Sequence, residues 1–348
     1  MNTTLRRPAR LLALAAAAAL ALSGCAGASQ AAPAATSEDG LTTVRINQAF
    51  QSLLYLPLYV AEDQGFFEGE GVDVQIGTGG GGTQSWSAVL GGSAEFSIQD
   101  PVFVPKTREA GGDGVVVAGI QNAPTVFIIG AQDVDVQSDL SLLEGKRVVV
   151  SPEPDTTWAF MTHLIEQNDL QDVKLVNVAI GNELAAVASG QADYALAVEP
   201  QITQGEVENG LHVVYSFSAD ESWYPFAFSS LTGLPSWIEE NPEAAQGVVT
   251  ALQRASRSIY EDPDAAVATA VAYFPDLDEE IVRLAVQRMI DAEGYPKDVL
   301  VSQDAWDRNL GIALMTGNVA EYPSEATSYE NTVNSELATT AKAVVDGE

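Results

Sequence analysis

The chain has 348 residues, with 16 Lys or Arg against 48 Asp or Glu, which gives a formal net charge of −32. This charge disfavours nucleic acids and anionic membrane surfaces as partners, because both present phosphates. The length allows about two domains with a substantial core, and the single cysteine excludes an intrachain disulfide.

The first 25 residues have the pattern of a secretory signal peptide. Three arginines within residues 1–10 precede an apolar run over residues 11–22, and Ser-Gly stands directly before Cys25. This run is shorter than the roughly 20 residues that a spanning helix needs. Small residues before a lone cysteine resemble the lipobox of bacterial lipoproteins. That resemblance implies removal of residues 1–24 and a lipid on Cys25, which anchors the protein on the extracytoplasmic face of the cell membrane. The alternative is an ordinary signal peptide in which Cys25 is incidental.

Residues 25–40 are mostly Ala, Ser, Thr, Gln, Pro and Gly. This composition cannot bury enough apolar surface to offset the entropy of ordering. We therefore predict a flexible tether, with the folded body beginning near residue 41.

Beyond the tether, strand and helix patterns alternate in two successive units. The first unit has predicted strands at 44–47, 72–76, 95–99 and 115–120, with helices at 57–64, at 83–90 and after Asp100-Pro101. The second has predicted strands at 148–150, 173–178 and 194–198, with helices opening in the loop 151–157, at 183–189 and after residue 200. From residue 235 the chain is mainly helical. This alternation predicts an α/β fold with largely parallel sheets.

Polar and aromatic residues follow the predicted strands, where open parallel sheets bind ligands. These strand-end loops contain no His, Cys, Lys or Arg, and they predict a cleft between two lobes that hydrogen-bonds a small molecule. The candidate ligand-binding residues are Gln48, Phe50, Gln51, Tyr55, Gly81, Gly82, Thr83, Ser85, Gln99, Asp100, Gln121, Asn122, Thr156, Thr157, Trp158, Glu199 and Trp223.

Five features among these positions carry specific hypotheses. The glycine run 79–82 enters a predicted helix, whose free N–H groups and dipole attract an anion; the alternative is a plain surface turn. Asp100 is expected to cap a helix. Glu199 ends a strand facing the cleft and is expected to accept from a cationic or amide group of the ligand; the alternative is a brace at the hinge. Trp158 is expected to stack on the ligand. Trp223 is also a candidate, and the alternative is that its aromatic cluster belongs to the hydrophobic core.

The sequence offers no catalytic constellation. His163 and His212 have no metal-ligand spacing around them, and no Ser-His-Asp order, HExxH or CxxC motif follows the signal peptide. We therefore predict binding without catalysis, with no metal and no cofactor.

Four segments resemble the solute-binding proteins of bacterial ABC importers, in the branch for nitrate, sulfonate, taurine and thiamine-pyrimidine ligands. The resemblance covers roughly residues 44–320. Its motifs occur in the family's order, at Leu56–Val74, Gly92–Phe96, Leu143–Val148 and Ala188–Ala195 followed by Glu199-Pro200.

The resemblance implies a type II periplasmic binding protein fold, in which two α/β lobes surround a ligand cleft. Lobe I would comprise residues 41–131 and 223–340, and lobe II residues 132–222, with the chain crossing near 123–131 and 223–232. The ligand would be enclosed by hinge closure. The closed monomer would then dock on a membrane permease driven by an ATPase.

The sequence indicates the family more specifically than it indicates the ligand. The strand-end loops carry acids and no bases, which favours a zwitterion or a nitrogen heterocycle. Taurine-like aminosulfonates and thiamine-type pyrimidines both meet this requirement. The alternatives are a nitrate or alkanesulfonate binder, or an extracytoplasmic sensor or enzyme on the same fold.

Overall fold

A computed structural model describes residues 36–37 and 40–347 of the chain. The predicted signal peptide, Cys25 and most of the predicted tether lie outside these residues. Within the described part, no helix combines the length and the apolar character needed to cross a membrane.

Strands and helices alternate through residue 233, as the sequence predicts. The strands are β1 Thr42–Gln48, β2 Val72–Thr78, β3 Phe96–Gln99, β4 Val115–Gln121, β5 Phe127–Gly130, β6 Arg147–Val150, β7 Lys174–Asn177, β8 Tyr194–Ala197, β9 His212–Ser216 and β10 Ser229–Gly233. The α-helices are α1 Leu56–Asp63, α2 Phe66–Gly69, α3 Gly82–Leu90, α4 Phe103–Glu109, α5 Thr156–Gln167, α6 Glu183–Ala188, α7 Gln201–Asn209, α8 Pro235–Glu240, α9 Pro242–Glu261, α10 Pro263–Tyr273, α11 Glu279–Asp291, α12 Gln303–Met315, α13 Tyr329–Thr332 and α14 Ser335–Asp346.

The strands form two five-stranded sheets with matching topology. The first sheet has the order β2-β1-β3-β10-β4, and the second has the order β7-β6-β8-β5-β9. In the first sheet β10 is antiparallel to both neighbours, and in the second β5 is. The pairs β1–β2, β1–β3, β6–β7 and β6–β8 are parallel. The predicted α/β fold with largely parallel sheets is therefore confirmed.

The chain passes between the sheets twice, in residues 122–126 and 217–228. The sequence places these crossings near 123–131 and 223–232, and those ranges also contain β5 and β10. Because β5 pairs with β8 and β9, residues 127–130 form part of the second sheet. The lobe boundaries stay a prediction; below, "first lobe" and "second lobe" mean the elements packed around the first and second sheets.

Several strands are buried along their whole length, including β4 at the edge of the first sheet. All seven residues of β4 and all four of both β3 and β8 are buried, which is typical of strands covered by helices on both faces. Gln99 and Gln121 are the polar last residues of β3 and β4. The buried strands thus hold their carboxyl ends, and the loops that follow, in fixed positions between the two sheets.

Candidate functional site

A cavity lies between the two sheets at the carboxyl ends of the strands. Its empty volume is about 580 Å³ when the solvent space at its open mouth is counted with it. From the first lobe it is lined by Ala49, Phe50, Leu54, Tyr55, Gly82, Gln99, Asp100, Phe228 and Ser229. From the second lobe it is lined by Ser151, Asp155, Thr156, Thr157, Ile180, Glu183, Leu196, Ala197, Val198 and Gln201.

The charged residues at this cavity are all acidic. Asp100, Asp155 and Glu183 contribute to its wall, and in the described chain no Lys, Arg or His does. Across residues 36–37 and 40–347, no group of three or more His, Cys, Asp or Glu side chains is arranged to hold a metal ion. Within the described residues, the carboxylates at the cavity therefore have no protein cation beside them.

Asp100 connects the two lobes. Its Oδ1 accepts from the backbone N–H of Val102 at 3.0 Å and from Asn309 Nδ2 at 3.2 Å. Its Oδ2 accepts from the hydroxyl of Thr156, the first residue of α5 in the second lobe. Burial raises the pKa of Asp100, and the hydrogen bonds that it accepts lower it in part. The predicted capping role is thus partly met: Asp100 caps the turn at residues 101–102, and α4 itself begins at Phe103, not at Pro101.

Asp155 faces the start of a helix in the other lobe. It precedes α5, yet its side chain makes no capping hydrogen bond there. Its Oδ1 instead lies 3.3 Å from the point where a Cβ on Gly82 would stand. Gly82 begins α3, and a Cβ there would also come within 2.4 Å of the Phe103 ring, so only glycine fits. Burial, and then the charge of Asp100, raise the pKa of Asp155 to about 7.

Glu183 supplies the third carboxylate, from the first residue of α6. The side chain is buried, and its Oε2 accepts from the backbone N–H of Gly181 at 2.7 Å. Burial raises the pKa of Glu183, while hydrogen bonds from backbone N–H groups and from Gln201 lower it in part. Gln201, which begins α7, lines the same part of the wall.

Gln99 brings an unpaired acceptor to the cavity. The residue is 1% exposed, and its Oε1 has no hydrogen-bond partner in the described part of the chain. Its Nε2 donates to Thr232 Oγ1 at 3.0 Å. The Thr232 hydroxyl accepts this bond and also lies 3.2 Å from the Ser97 carbonyl, to which it can donate. A buried carbonyl without a donor is costly, so Oε1 is suited to an N–H or O–H of a ligand.

Aromatic side chains form the apolar part of the wall. The rings of Phe50 and Tyr55 lie 5.6 Å apart between centroids, and Phe228 lines the cavity from the second crossing. Tyr55 is buried, and burial raises its pKa, so its hydroxyl stays neutral at physiological pH. These rings provide flat surfaces for a planar or apolar ligand group.

The structure brings seven of the candidate binding residues to the cavity and leaves ten outside its lining. Those that line it are Phe50, Tyr55, Gly82, Gln99, Asp100, Thr156 and Thr157. Those that do not are Gln48, Gln51, Gly81, Thr83, Ser85, Gln121, Asn122, Trp158, Glu199 and Trp223.

Several of these ten have partners elsewhere in the protein. Gln48 bonds with Tyr59 and Thr78, and Gln51 donates to the Tyr273 carbonyl. Gln121 donates to the Leu54 carbonyl at 2.9 Å, and Asn122 Nδ2 to the Leu300 carbonyl at 3.4 Å. Trp158 packs at the margin of the core, while Trp223 lies within an aromatic cluster around Phe160 and Phe217.

The glycine-rich turn also differs from its predicted role. Thr83 points to solvent, and the Ser85 hydroxyl donates to the Asn47 carbonyl. The N-terminal end of α3 has the carboxylate of Asp155 near it, so a negative charge of the protein already faces the place expected for an anion.

Glu199 is committed to an internal ion pair. The side chain is fully buried, and Oε1 lies 3.0 Å from Arg288 Nη1 on α11. It also accepts from the backbone N–H and hydroxyl of Thr203, and Arg288 bonds to Glu206 as well. Burial raises the pKa of Glu199, and the charge of Arg288 opposes that rise. This is the bracing role that the sequence left as the alternative.

Sequence reasoning missed several wall residues. Glu183 and Gln201 each begin a helix. The candidate Glu199 lies two residues before Gln201, whereas no candidate was predicted in the loop before Glu183. Phe228 and Ser229 lie at the end of the second crossing, which periodicity does not mark. Asp155, in the loop before α5, was also missing from the candidates. The rest are Ala49, Leu54, Ser151, Ile180, Leu196, Ala197 and Val198, whose apolar or small side chains carry no chemical signal.

A protein-family model described as NMT1/THI5 like matches residues 54–266, more than half of the chain. The chain belongs to this NMT1/THI5-like family. The family match spans both sheets and includes most of the cavity wall, which agrees with the resemblance noted in the sequence.

Individual relatives match this chain over most of its length. YtlA of Bacillus subtilis (strain 168) is 24% identical over 311 residues, which cover 86% of this chain and 90% of YtlA. A ligand-binding component of an ABC-type import system from Staphylococcus aureus, solved with zinc bound, has a TM-score of 0.71 at 12% identity and covers 86% of this chain and 98% of that one. The alkanesulfonate-binding protein SsuA from Xanthomonas axonopodis pv. citri, bound to MOPS, has a TM-score of 0.67 at 16% identity and covers 84% and 98%. The fold is thus that of periplasmic binding proteins.

Proposed function

We propose that this chain is the extracytoplasmic solute-binding protein of an ABC importer, and that it binds a small organic ligand with a cationic nitrogen or several N–H donors. The family, the two-sheet fold and the cavity between the sheets support binding and delivery to a permease with its ATPase. The protein would act as a monomer, held at the outer face of the cell membrane by a lipid on Cys25.

The choice of ligand rests on the chemistry of the cavity wall. Asp100, Asp155 and Glu183 are acceptors when ionised, and Gln99 Oε1 adds a neutral acceptor without a partner. No basic side chain of the described residues lines the cavity to receive an anion. A ligand rich in donors satisfies these groups, whereas an anion leaves them unpaired.

An alkanesulfonate or nitrate ligand is the competing possibility. Helix N-termini can bind such anions without basic side chains. Here the N-terminal ends of α3 and α5 already face the carboxylates of Asp155 and Asp100. A thiamine-type aminopyrimidine therefore fits better than taurine, because its ring can lie against Phe50 and Tyr55 and it brings no sulfonate.

An enzyme on the same fold is the other alternative. Asp100 and Asp155 are neighbouring carboxyl groups with raised pKa values, an arrangement that also occurs in catalysis. The Thr156 hydroxyl that donates to Asp100 has no His or Lys of the described cavity wall beside it to activate it, so we propose binding without turnover. Recovery of an aminopyrimidine unchanged after prolonged incubation with the protein supports this, and a chemically altered product opposes it.

A thermal-shift panel tests the ligand class. Aminopyrimidines, simple amines, taurine, ethanesulfonate and nitrate would each be added over a wide concentration range. A ligand at 100 times its Kd stabilises the folded protein by about 2.7 kcal/mol, which is readily seen. We expect stabilisation by nitrogen cations and none by nitrate or ethanesulfonate, and the reverse order would overturn the proposal. The anchor is tested separately, because Cys25→Ser should release the protein from membranes into the medium.

A further inference from the structure

The carboxylates of Asp100 and Asp155 come from opposite lobes and meet at the cavity. Asp100 follows β3 of the first sheet, and Asp155 precedes α5 of the second lobe. The Thr156 hydroxyl, next to Asp155 in the chain, reaches Asp100 Oδ2 at 2.5 Å. Closing the cleft therefore brings two negative charges together in a place where burial weakens the screening by water.

No cation among the described residues of the cavity wall compensates this approach. The groups that face Asp155 are Asp100, the start of α3 at Gly82 and the neutral hydroxyl of Tyr55, and Glu183 lines the same cavity. Lys, Arg and His are absent from the cavity wall throughout the described residues. When both aspartates are ionised, their repulsion opposes closure.

A second observation points to a ligand at the same place. Gln99, directly before Asp100, is 1% exposed, lines the cavity and has an Oε1 without a partner in the described residues. The Asp100 and Asp155 carboxylates and this carbonyl together form a set of acceptors only, which suits a protonated amine with its several N–H donors.

We propose that Asp100 and Asp155 form a cation subsite that sets charge selectivity: the lobes close fully only when a positive charge of the ligand, or a proton, lies between the two carboxylates. This inference rests on the proposed binding function and adds a requirement to it. A neutral molecule of the same shape contacts the cavity wall but does not neutralise the two carboxylates. Their mutual repulsion remains, so the molecule is bound weakly.

The closure part of the inference is tested without any ligand. Small-angle X-ray scattering would give the radius of gyration of the full chain carrying Cys25→Ser, at pH 5 and at pH 8. We expect the larger radius at pH 8, where both aspartates are ionised, and the smaller radius at pH 5. Asp155→Asn should keep the smaller radius at both pH values, and Glu153→Gln, an exposed acid two residues away, should behave like the unmodified chain.

The selectivity part uses two matched probes in calorimetry at pH 8: an aminomethyl-substituted aminopyrimidine, which is cationic, and its neutral hydroxymethyl analogue. We expect at least tenfold tighter binding of the cation, a preference that Asp155→Asn reduces to less than threefold and Glu153→Gln retains. Equal affinities, or a preference that survives Asp155→Asn, overturn the inference.

The two arms separate this inference from the proposed function. If neither pyrimidine binds but the radius changes with pH as expected, the ligand class is wrong and the carboxylate pair still controls closure. If the radius is independent of pH and of Asp155→Asn, the control of closure is refuted even where nitrogen ligands bind.

Discussion

Two sets of carboxylates lie between the sheets, and they differ in what faces them. Glu199 has Arg288 at 3.0 Å and the N–H and hydroxyl of Thr203. Asp155 has a second carboxylate, Asp100, as its neighbour. A buried acid that the protein itself neutralises is part of the framework, whereas one set beside another acid is available to a cation from outside. Position at a strand end does not distinguish the two; the identity of the neighbour does.

The largest expected effect breaks the framework pair. Arg288→Met leaves Glu199 buried without its cation, and such a loss costs roughly 3–5 kcal/mol of folding stability. We expect this decrease in chemical denaturation, with nearly unchanged ligand affinity in the protein that remains folded.

A surface pair on the same helix is the matched control. Arg283 pairs with Glu280 three residues away, and both side chains are about half exposed. Arg283→Met should cost no more than about 1 kcal/mol, as is usual for exposed pairs. Equal losses in the two variants would show that the Glu199 pair is no more than a surface contact.

A smaller effect concerns the cavity acids in the absence of ligand. The pKa of Asp155 is raised from its ordinary value of 3.8 to about 7, so between these values the folded state holds a proton that the unfolded state has lost. The contribution of Asp155 to folding stability therefore falls as pH rises from about 4 to 7. We expect the melting temperature to fall over this range by at least about 2 °C, the change that about 1 kcal/mol gives in a chain of this size.

Asp155→Asn removes the titrating group and should flatten this part of the pH profile. Stability is then compared at pH 5 and pH 8 by differential scanning calorimetry, with Glu153→Gln beside it. A profile that stays as steep in Asp155→Asn as in the unmodified chain would assign the pH dependence to other groups.

The smallest expected effect concerns the apolar part of the cavity wall, which any ligand with a flat ring would contact. Phe50→Leu keeps an apolar side chain but removes a ring, and aromatic contacts contribute about 0.5–1.5 kcal/mol beyond burial. We expect affinity for an aminopyrimidine to fall by roughly two- to tenfold in calorimetry. Phe66→Leu, a partly buried ring packed on the core, is the control and should leave affinity unchanged. Loss of affinity in both would indicate a general change of packing.

The sequence was sufficient to predict the fold in most respects. Alternation of period-two and helical patterns located the parallel strands to within one or two residues, because their buried runs end at clear polar or glycine signals. It did not reveal that β5 and β10 insert antiparallel into the sheets. Each is short and lies next to a crossing, and its pairing depends on contacts more than 60 residues away.

The site was predictable only in part, for a related reason. The end of a strand indicates where the backbone of a residue lies, but not what its side chain contacts. Seven of the seventeen candidates line the cavity. The role of Glu199 was decided by Arg288, 89 residues later. Glu183 lies at the cavity because β7 and α6 place it there, and nothing in its neighbouring residues distinguishes it from a solvent-exposed acid.

The insertion of β10 between β3 and β4 has a consequence for how the chain acquires its structure during synthesis and export. All five strands of the second sheet lie within residues 127–216, so they are complete once that continuous segment has emerged. The first sheet, although its strands begin at residue 42, lacks an inner strand until residues 229–233 arrive. The second sheet, which is synthesised after most of the first, can therefore finish folding first. In the first sheet, β3 and β4 cannot be joined until β10 has been synthesised.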